Sequence, residues 1–337
     1  MASFLCFGEM LLRLIAPQGE RLFQGPSLET HFVGAEGNVA NMLARLGNKS
    51  HLFTVLPDNA AGRACRHSLM EHGVRTELVR MEGERLGLYY FERGAMLRPS
   101  SISYDRAGSA FAAFDFSKVN WSHMLDGKDW LHLCGITLAL GDNCASAAIT
   151  AAETAKAAGV KVSFDCNYRA KLWSGREAEM ADLKRQMVAL ADCLFAGRRD
   201  ARYLLEQDFA RAHPTENFAQ VCEAYRSQWP NLTHIASTYR EVHSPEHNTL
   251  TGRYSKEGET FVSPSYDLQP IVDRIGGGDA FAGGVLHQLG RGVDGQQVIN
   301  FATVAASIKH SIMGDANLTT EQEVEELMLS SGSDVAR

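Results

Sequence analysis

The chain has 337 residues, of which 45% are hydrophobic and 22% charged, the balance of a globular protein with a large core in one or two domains. Its net charge of −7, with no basic run and no aromatic–basic stripe, disfavours a nucleic-acid partner. No uninterrupted apolar stretch of roughly 18 residues occurs, so no transmembrane helix and no membrane partner are expected.

The first nine residues are apolar but lack a basic start, and Glu9 and Arg13 interrupt them; they read as a buried strand, not a signal peptide. Further apolar strand runs fall at 51–55, 130–134, 160–164, 193–196 and 234–237. Amphipathic helices alternate with them. Val39, Met42, Leu43 and Leu46 follow i, i+3, i+4, i+7 and are closed by Gly47; further helices are expected at 60–71, 143–158, 177–192, 215–229 and 298–313. Thr320-Glu321-Gln322-Glu323 is a capping box opening a last helix, and the Ser/Gly-rich tail 330–337 reads as frayed. Repeated strand–helix units with near-continuous apolar strands predict an α/β fold with a mostly parallel central sheet covered on both faces, a three-layer sandwich whose site lies beyond the carboxyl ends of the strands. The whole chain, 1–337, reads as one such domain.

Two segments break this rhythm. Residues about 10–33 and 86–106, as in Gly87-Leu88-Tyr89-Tyr90-Phe91, alternate without helical period and read as antiparallel strands outside the main sheet. They could pair as a small β-strand lid that keeps water from a reacting phosphate. Its exposed edge could also pair with a second copy, as a homodimer or larger homo-oligomer.

Seven cysteines (6, 65, 134, 144, 166, 193 and 222) show no CxxC spacing, which fits a reducing cytosol and hence a cytoplasmic protein. The histidines are scattered, and His132 within Trp130-Leu131-His132-Leu133-Cys134 reads as a core residue; no zinc site is expected.

The most informative run is Asp273-Arg274-Ile275-Gly276-Gly277-Gly278-Asp279. A polar-ended strand at 269–272 precedes it and a small-residue helix, 280–289 closed by Gly290, follows. Side-chain-free glycines let an anion approach the first-turn N–H groups and the helix dipole. A carboxylate there is a poor neighbour for phosphate unless it works as a base. Asp279 is therefore the candidate general base for an attacking hydroxyl, with Gly276, Gly277 and Gly278 stabilising a phosphoryl group in transfer.

Gly34-Ala35-Glu36-Gly37-Asn38 precedes the first amphipathic helix; Asn38 either caps that helix or binds vicinal hydroxyls. At the end of the second lid segment, Tyr104 and Arg106 could clamp a carboxylate. The strand-to-turn run from Asp165 to Trp173 holds Asn167, Arg169 and Lys171, donors for a transferring group, a substrate carboxylate or phosphates.

Together these segments resemble the ribokinase-like, or phosphofructokinase-B, carbohydrate kinases, from Phe4 to about Leu327, and among them most resemble 2-keto-3-deoxygluconate kinases. The resemblance implies an ATP- and Mg²⁺-dependent phosphotransfer to the terminal hydroxyl of that sugar acid. Asp279 would be the catalytic base. Gly34, Asn38, Tyr90, Tyr104, Arg106 and Arg169 would hold the acid, and Asp315 would lie beside it. Asn167, Lys171, Thr238, Arg240, Gly276 and Gly278 would meet the nucleotide. The alternatives are a neutral-sugar kinase, such as a fructokinase or ribokinase, and a silent sugar sensor.

The chain departs from the family pattern in three places. Gly197-Arg198-Arg199-Asp200 stands where relatives have Asn-x-x-Glu, so no direct side-chain metal ligand is assigned. No glycine-rich nucleotide loop follows Thr238, and Arg274 takes the place of a threonine, which leaves a monovalent cation unassigned.

Overall fold

The computed structural model describes residues 1–209 and 217–329. The expected frayed tail and the start of the helix expected at 215 lie outside them. In chain order the strands are β1 (Ser3–Phe7), β2 (Leu11–Ile15), β3 (Glu29–Val33), β4 (Lys49–Phe53), β5 (Val55–Leu56), β6 (Arg80–Met81) and β7 (Gly87–Glu92). They continue with β8 (Ser101–Asp105), β9 (Trp130–Cys134), β10 (Lys161–Asp165), β11 (Cys193–Phe195), β12 (His234–Ser244), β13 (His247–Lys256) and β14 (Glu259–Leu268).

Among the described residues one eight-stranded sheet runs β14-β13-β12-β11-β10-β9-β1-β4. From β12 to β4 every pairing is parallel, whereas β13 and β14 add an antiparallel ribbon at one edge. The central strands are buried along nearly their whole length, as the continuous apolar runs require. One core gathers Phe7, Phe53, Phe111, Phe116 and Trp121 with the helix Asp142–Ala157, and a second joins Phe4, Leu52 and Phe195 to Phe281 and Val285.

A four-stranded sheet, β3-β2-β7-β8, is made from the two arrhythmic segments. It is mixed rather than antiparallel: β2 pairs with β7 in parallel, and only the outer pairings are antiparallel. Segments separated by long chain have no hairpin to dictate their direction.

Two further expectations change. Residues 269–272 form no strand. Pro270 has no N–H for a ladder, and Ile271 and Val272 donate to Glu246 O and His310 O from a loop. The helix is Gly277–Arg291; Gly290 lies inside it, and Gly292, at φ 68°, ends it. Its small face meets helices, not the sheet. A Cβ on Gly283 would fall 2.7 Å from Met42 of the helix Ala35–Arg45, and one on Gly284 would fall 2.8 Å from Ala302 of the helix Gly295–Lys309. Phe281, against Phe195, turns the large side chains to the strands.

All seven cysteines are buried thiols, and His132 is a core residue bonded to Ser163 Oγ at 3.0 Å, its pKa pushed down to about 3 by burial. Thr320 Oγ1 accepts from Glu323 N at 3.2 Å, as a cap should. Among the described residues no helix is long and apolar enough to cross a membrane.

Candidate active site

A cleft of about 840 Å³ opens at the carboxyl ends of β10, β11 and β12, between the large sheet and the inner face of the small one. That is the size of a site for a drug-sized ligand. Asp279, in the first turn of its helix, faces it. Gly276 takes φ 84°, and a Cβ there would fall 1.9 Å from Asp315 O, so the turn tolerates only glycine. The Gly277 N–H turns back to Arg274 O at 3.4 Å, and Ala280 N to Gly276 O at 2.8 Å. Gly278 has open space where a Cβ would be, so its main chain lies open to a ligand. Gly276, Gly277 and Gly278 all line the cleft.

Asn38 is no cap. Gly34 occupies that position, and Asn38 sits a full turn inside the helix, donating from Nδ2 to Asp279 Oδ2 at 2.7 Å across 241 residues of sequence. Its Oδ1 is buried without a partner and its side chain lines the cleft, leaving an acceptor for a ligand hydroxyl. Burial pushes the Asp279 pKa up to about 7; the Asn38 bond opposes this, and the Asp165 carboxylate adds to it. Asp165 itself is pushed up to about 6, chiefly by burial.

If the ionised Asp279 is the base, kcat/KM rises with pH through about 7 and falls about tenfold per unit below it. A pH–rate profile flat from 5 to 8, or one falling across that range, would exclude it. The stability sign is the reverse. The folded state binds this proton more tightly, so the group's contribution is full below about 4 and declines as pH rises through 7.

The small sheet supplies Tyr89, Ile102 and Tyr104 to the cleft. Tyr90, expected there, is on the opposite face against the ring of Phe23 at 5.5 Å, because successive side chains of a strand alternate. Tyr89 takes its place and donates to Asp315 Oδ2 at 3.1 Å. Asp315 Oδ1 accepts from Arg13 at 2.5 Å, so both its oxygens already have protein partners. Arg13, fully buried on β2, also reaches Asp273 Oδ2 at 2.7 Å. Burial opposes its charge, but Asp315 and Asp273 outweigh that and raise its pKa.

Arg106 lines the cleft with its Nε donating to Glu9 Oε2 at 2.8 Å; its Nη2 meets the same carboxylate, whose other oxygen accepts from Ser109 Oγ. Gly34, Asn167, Arg169, Thr238 and Arg240 also line it. Lys171 does not: its Nζ donates to Ile102 O on β8 at 2.6 Å, tying the small sheet to the turn after β10.

Arg169, Arg199, Arg240 and Arg274 come to the cleft from the turn after β10, the first turn of the helix Arg198–Leu204, the middle of β12 and the loop before the glycine turn. Among the described residues none forms an ion pair. Burial, and then the like charges of Arg274, Arg199 and Arg169, lower the pKa of Arg240. Positive charge gathered in a recess in this way attracts a polyanion. Asp165 and Asp200 face it, each with one oxygen on a main-chain N–H, of Asn167 at 2.9 Å and Gly197 at 3.0 Å. Among the described residues no three metal-ligating side chains converge.

Sequence reasoning treated Arg13 and Glu9 only as interruptions of an apolar stretch. The sequence signal that could have found Arg13 is its place between Leu11 and Ile15 on the inward parity of β2.

The profile of the pfkB family of carbohydrate kinases matches residues 1–232. The chain is 30% identical to a 2-dehydro-3-deoxygalactonokinase of Haloferax volcanii, over 100% of this chain and 99% of that protein. Among solved structures, a 2-dehydro-3-deoxygluconokinase from Thermotoga maritima is 34% identical with a TM-score of 0.93, covering 98% of this chain and 100% of that one. A pfkB family carbohydrate kinase from Listeria grayi is 36% identical with a TM-score of 0.91, covering 97% and 100%.

Proposed function

The chain belongs to the pfkB family of carbohydrate kinases and has their ribokinase-like α/β sandwich fold, and from that premise we propose that it transfers the terminal phosphoryl group of ATP to the terminal hydroxyl of 2-keto-3-deoxygluconate. The product is 2-keto-3-deoxy-6-phosphogluconate. The observation that carries this is the Asp279 carboxylate, held by Asn38 beside the glycine turn in a cleft that Arg169, Arg199, Arg240 and Arg274 also line without ion pairs. Asp279 takes the proton of the attacking alcohol. The N–H groups around Gly276 and Gly278 meet the charge on the moving phosphoryl oxygens, and Arg199, Arg240 and Arg274 hold the polyphosphate. Mg²⁺ fits with the nucleotide: Asp165 and Asp200 each have a second oxygen to offer, and the ion would neutralise phosphate charge. The small sheet serves as a lid, its outer face with Tyr90 and exposed Phe23 suited to a second copy. Seven unpaired thiols suit a cytoplasmic enzyme.

The named activities of the relatives support a 2-keto-3-deoxy sugar acid, in either the gluconate or the galactonate series. One observation favours a neutral sugar instead: Glu9 already occupies Arg106, so the free cation nearest the sugar end is Arg169. A panel of 2-keto-3-deoxygluconate, its galactonate epimer, fructose and ribose, assayed for ADP release with ATP and Mg²⁺, decides between them. We expect the sugar acids to give the highest kcat/KM; a preference for fructose or ribose overturns the substrate assignment, and no ADP release with any would leave a sensor.

A further inference from the structure

Lys309 ends the helix Gly295–Lys309 and is fully buried. Its ammonium donates to two main-chain carbonyls, Ile312 O at 2.9 Å and Asp273 O at 3.2 Å. Among the described residues no carboxylate lies within ion-pair distance of it; burial lowers its pKa, and the carboxylates of Asp273 and Asp315, farther off, oppose that. Buried lysines are ordinarily paired with a carboxylate. An ammonium seated on peptide oxygens instead has the surroundings of a monovalent cation whose hydration shell is replaced by carbonyls.

The two carbonyls belong to the two pieces of chain that shape the glycine turn. Asp273 leads into it. Ile312 belongs to the segment 310–315 that backs it: His310 O accepts from Val272 N and Asp273 N at 2.8 and 3.2 Å, and Asp315 O lies where a side chain on Gly276 would go. A helix-end lysine could cap its own turn through Ile312 alone; the second bond, to Asp273 36 residues away, makes it a cross-link.

We propose that Lys309 is a positioning residue whose ammonium acts as a built-in monovalent cation, holding residue 273 against the 310–315 segment so that the glycine N–H groups stay aimed at the phosphoryl group. Phosphoryl transfer by this chain then needs no dissociable potassium ion. This rests on the kinase function proposed above.

Lys309→Met keeps four side-chain atoms and stops one short of the ammonium, leaving a cation-sized gap between the carbonyls. Melting temperature and ATP turnover are measured for the wild type and this variant in tetramethylammonium chloride, too bulky for the gap, with K⁺ exchanged in at constant ionic strength. The wild type should behave alike in both salts. The variant should lose roughly 10- to 100-fold in kcat, with a smaller change in KM for the sugar, and K⁺ or NH₄⁺ should restore both kcat and Tm saturably. Stimulation of the wild type by K⁺ overturns the proposal, and so does a folded variant that is fully active without K⁺ or is not rescued by it. Should the variant fail to fold, the wild-type salt comparison alone decides. The Tm readout uses no substrate: if no sugar is phosphorylated in either salt, the kinase function falls, while a K⁺-specific rise in the variant's Tm still supports the fixed cation.

Discussion

Asp279→Asn lowers kcat by roughly 10²–10⁴, the usual worth of a positioned general base. The replacement is isosteric and can still accept the hydrogen bond from Asn38, so the cleft keeps its shape and the KM values for sugar and ATP change far less than kcat. Stability provides an independent check. Burial makes the ionised carboxylate the unfavourable form above about pH 7, so at pH 8 the variant's melting temperature is unchanged or higher. Steady-state kinetics with thermal melts test both parts. Turnover within a factor of a few of wild type removes Asp279 from the chemistry.

The second large effect is on stability. Arg13→Met keeps much of the side-chain volume but leaves Asp273 and Asp315 buried opposite no cation. Breaking a buried ion pair from one side costs about 3–5 kcal/mol, because the remaining charge has neither water nor partner. Guanidinium unfolding should show this as a lower midpoint with an unchanged slope. The deficit should shrink towards acid pH, where the stranded Asp315 carboxylate, its pKa already pushed up by burial, can take up a proton. A loss below about 1 kcal/mol means the triad contributes little net stability. The same variant frees the Tyr89–Asp315 contact from its neighbour, so turnover falls as well.

The glycine turn and Asp279 at the start of its helix were legible because they are written in consecutive residues. The α/β order was legible for the same reason: each strand and helix carries its own period. Asn38 was ambiguous between a cap and a ligand. Gly34 supplies the extended residue that ends the strand side, which a single position cannot reveal. Tyr89 against Tyr90 is a question of parity, and a strand that can face either way gives no local answer. The partners of Arg13 lie 260 and 302 residues away, and Arg169, Arg199, Arg240 and Arg274 come from four separate elements of the chain. No window of sequence contains them together. The missed ribbon of β13 and β14 has a related cause: β13 is largely buried but carries Asn248, Thr251, Arg253 and Ser255, so no apolar run marks it, and polar Thr238–Ser244 reads as loop although it pairs along most of its length.

The helices bearing Asn38 and Asp279 touch where Gly283 lies against Met42, too near for even one methyl group. How far the amide stands from the carboxylate is thus fixed by the closeness of two backbones more than by the reach of either side chain. The spacing of the Asn38–Asp279 pair is calibrated a full turn away from it, by hydrogen atoms where most helices would carry carbon.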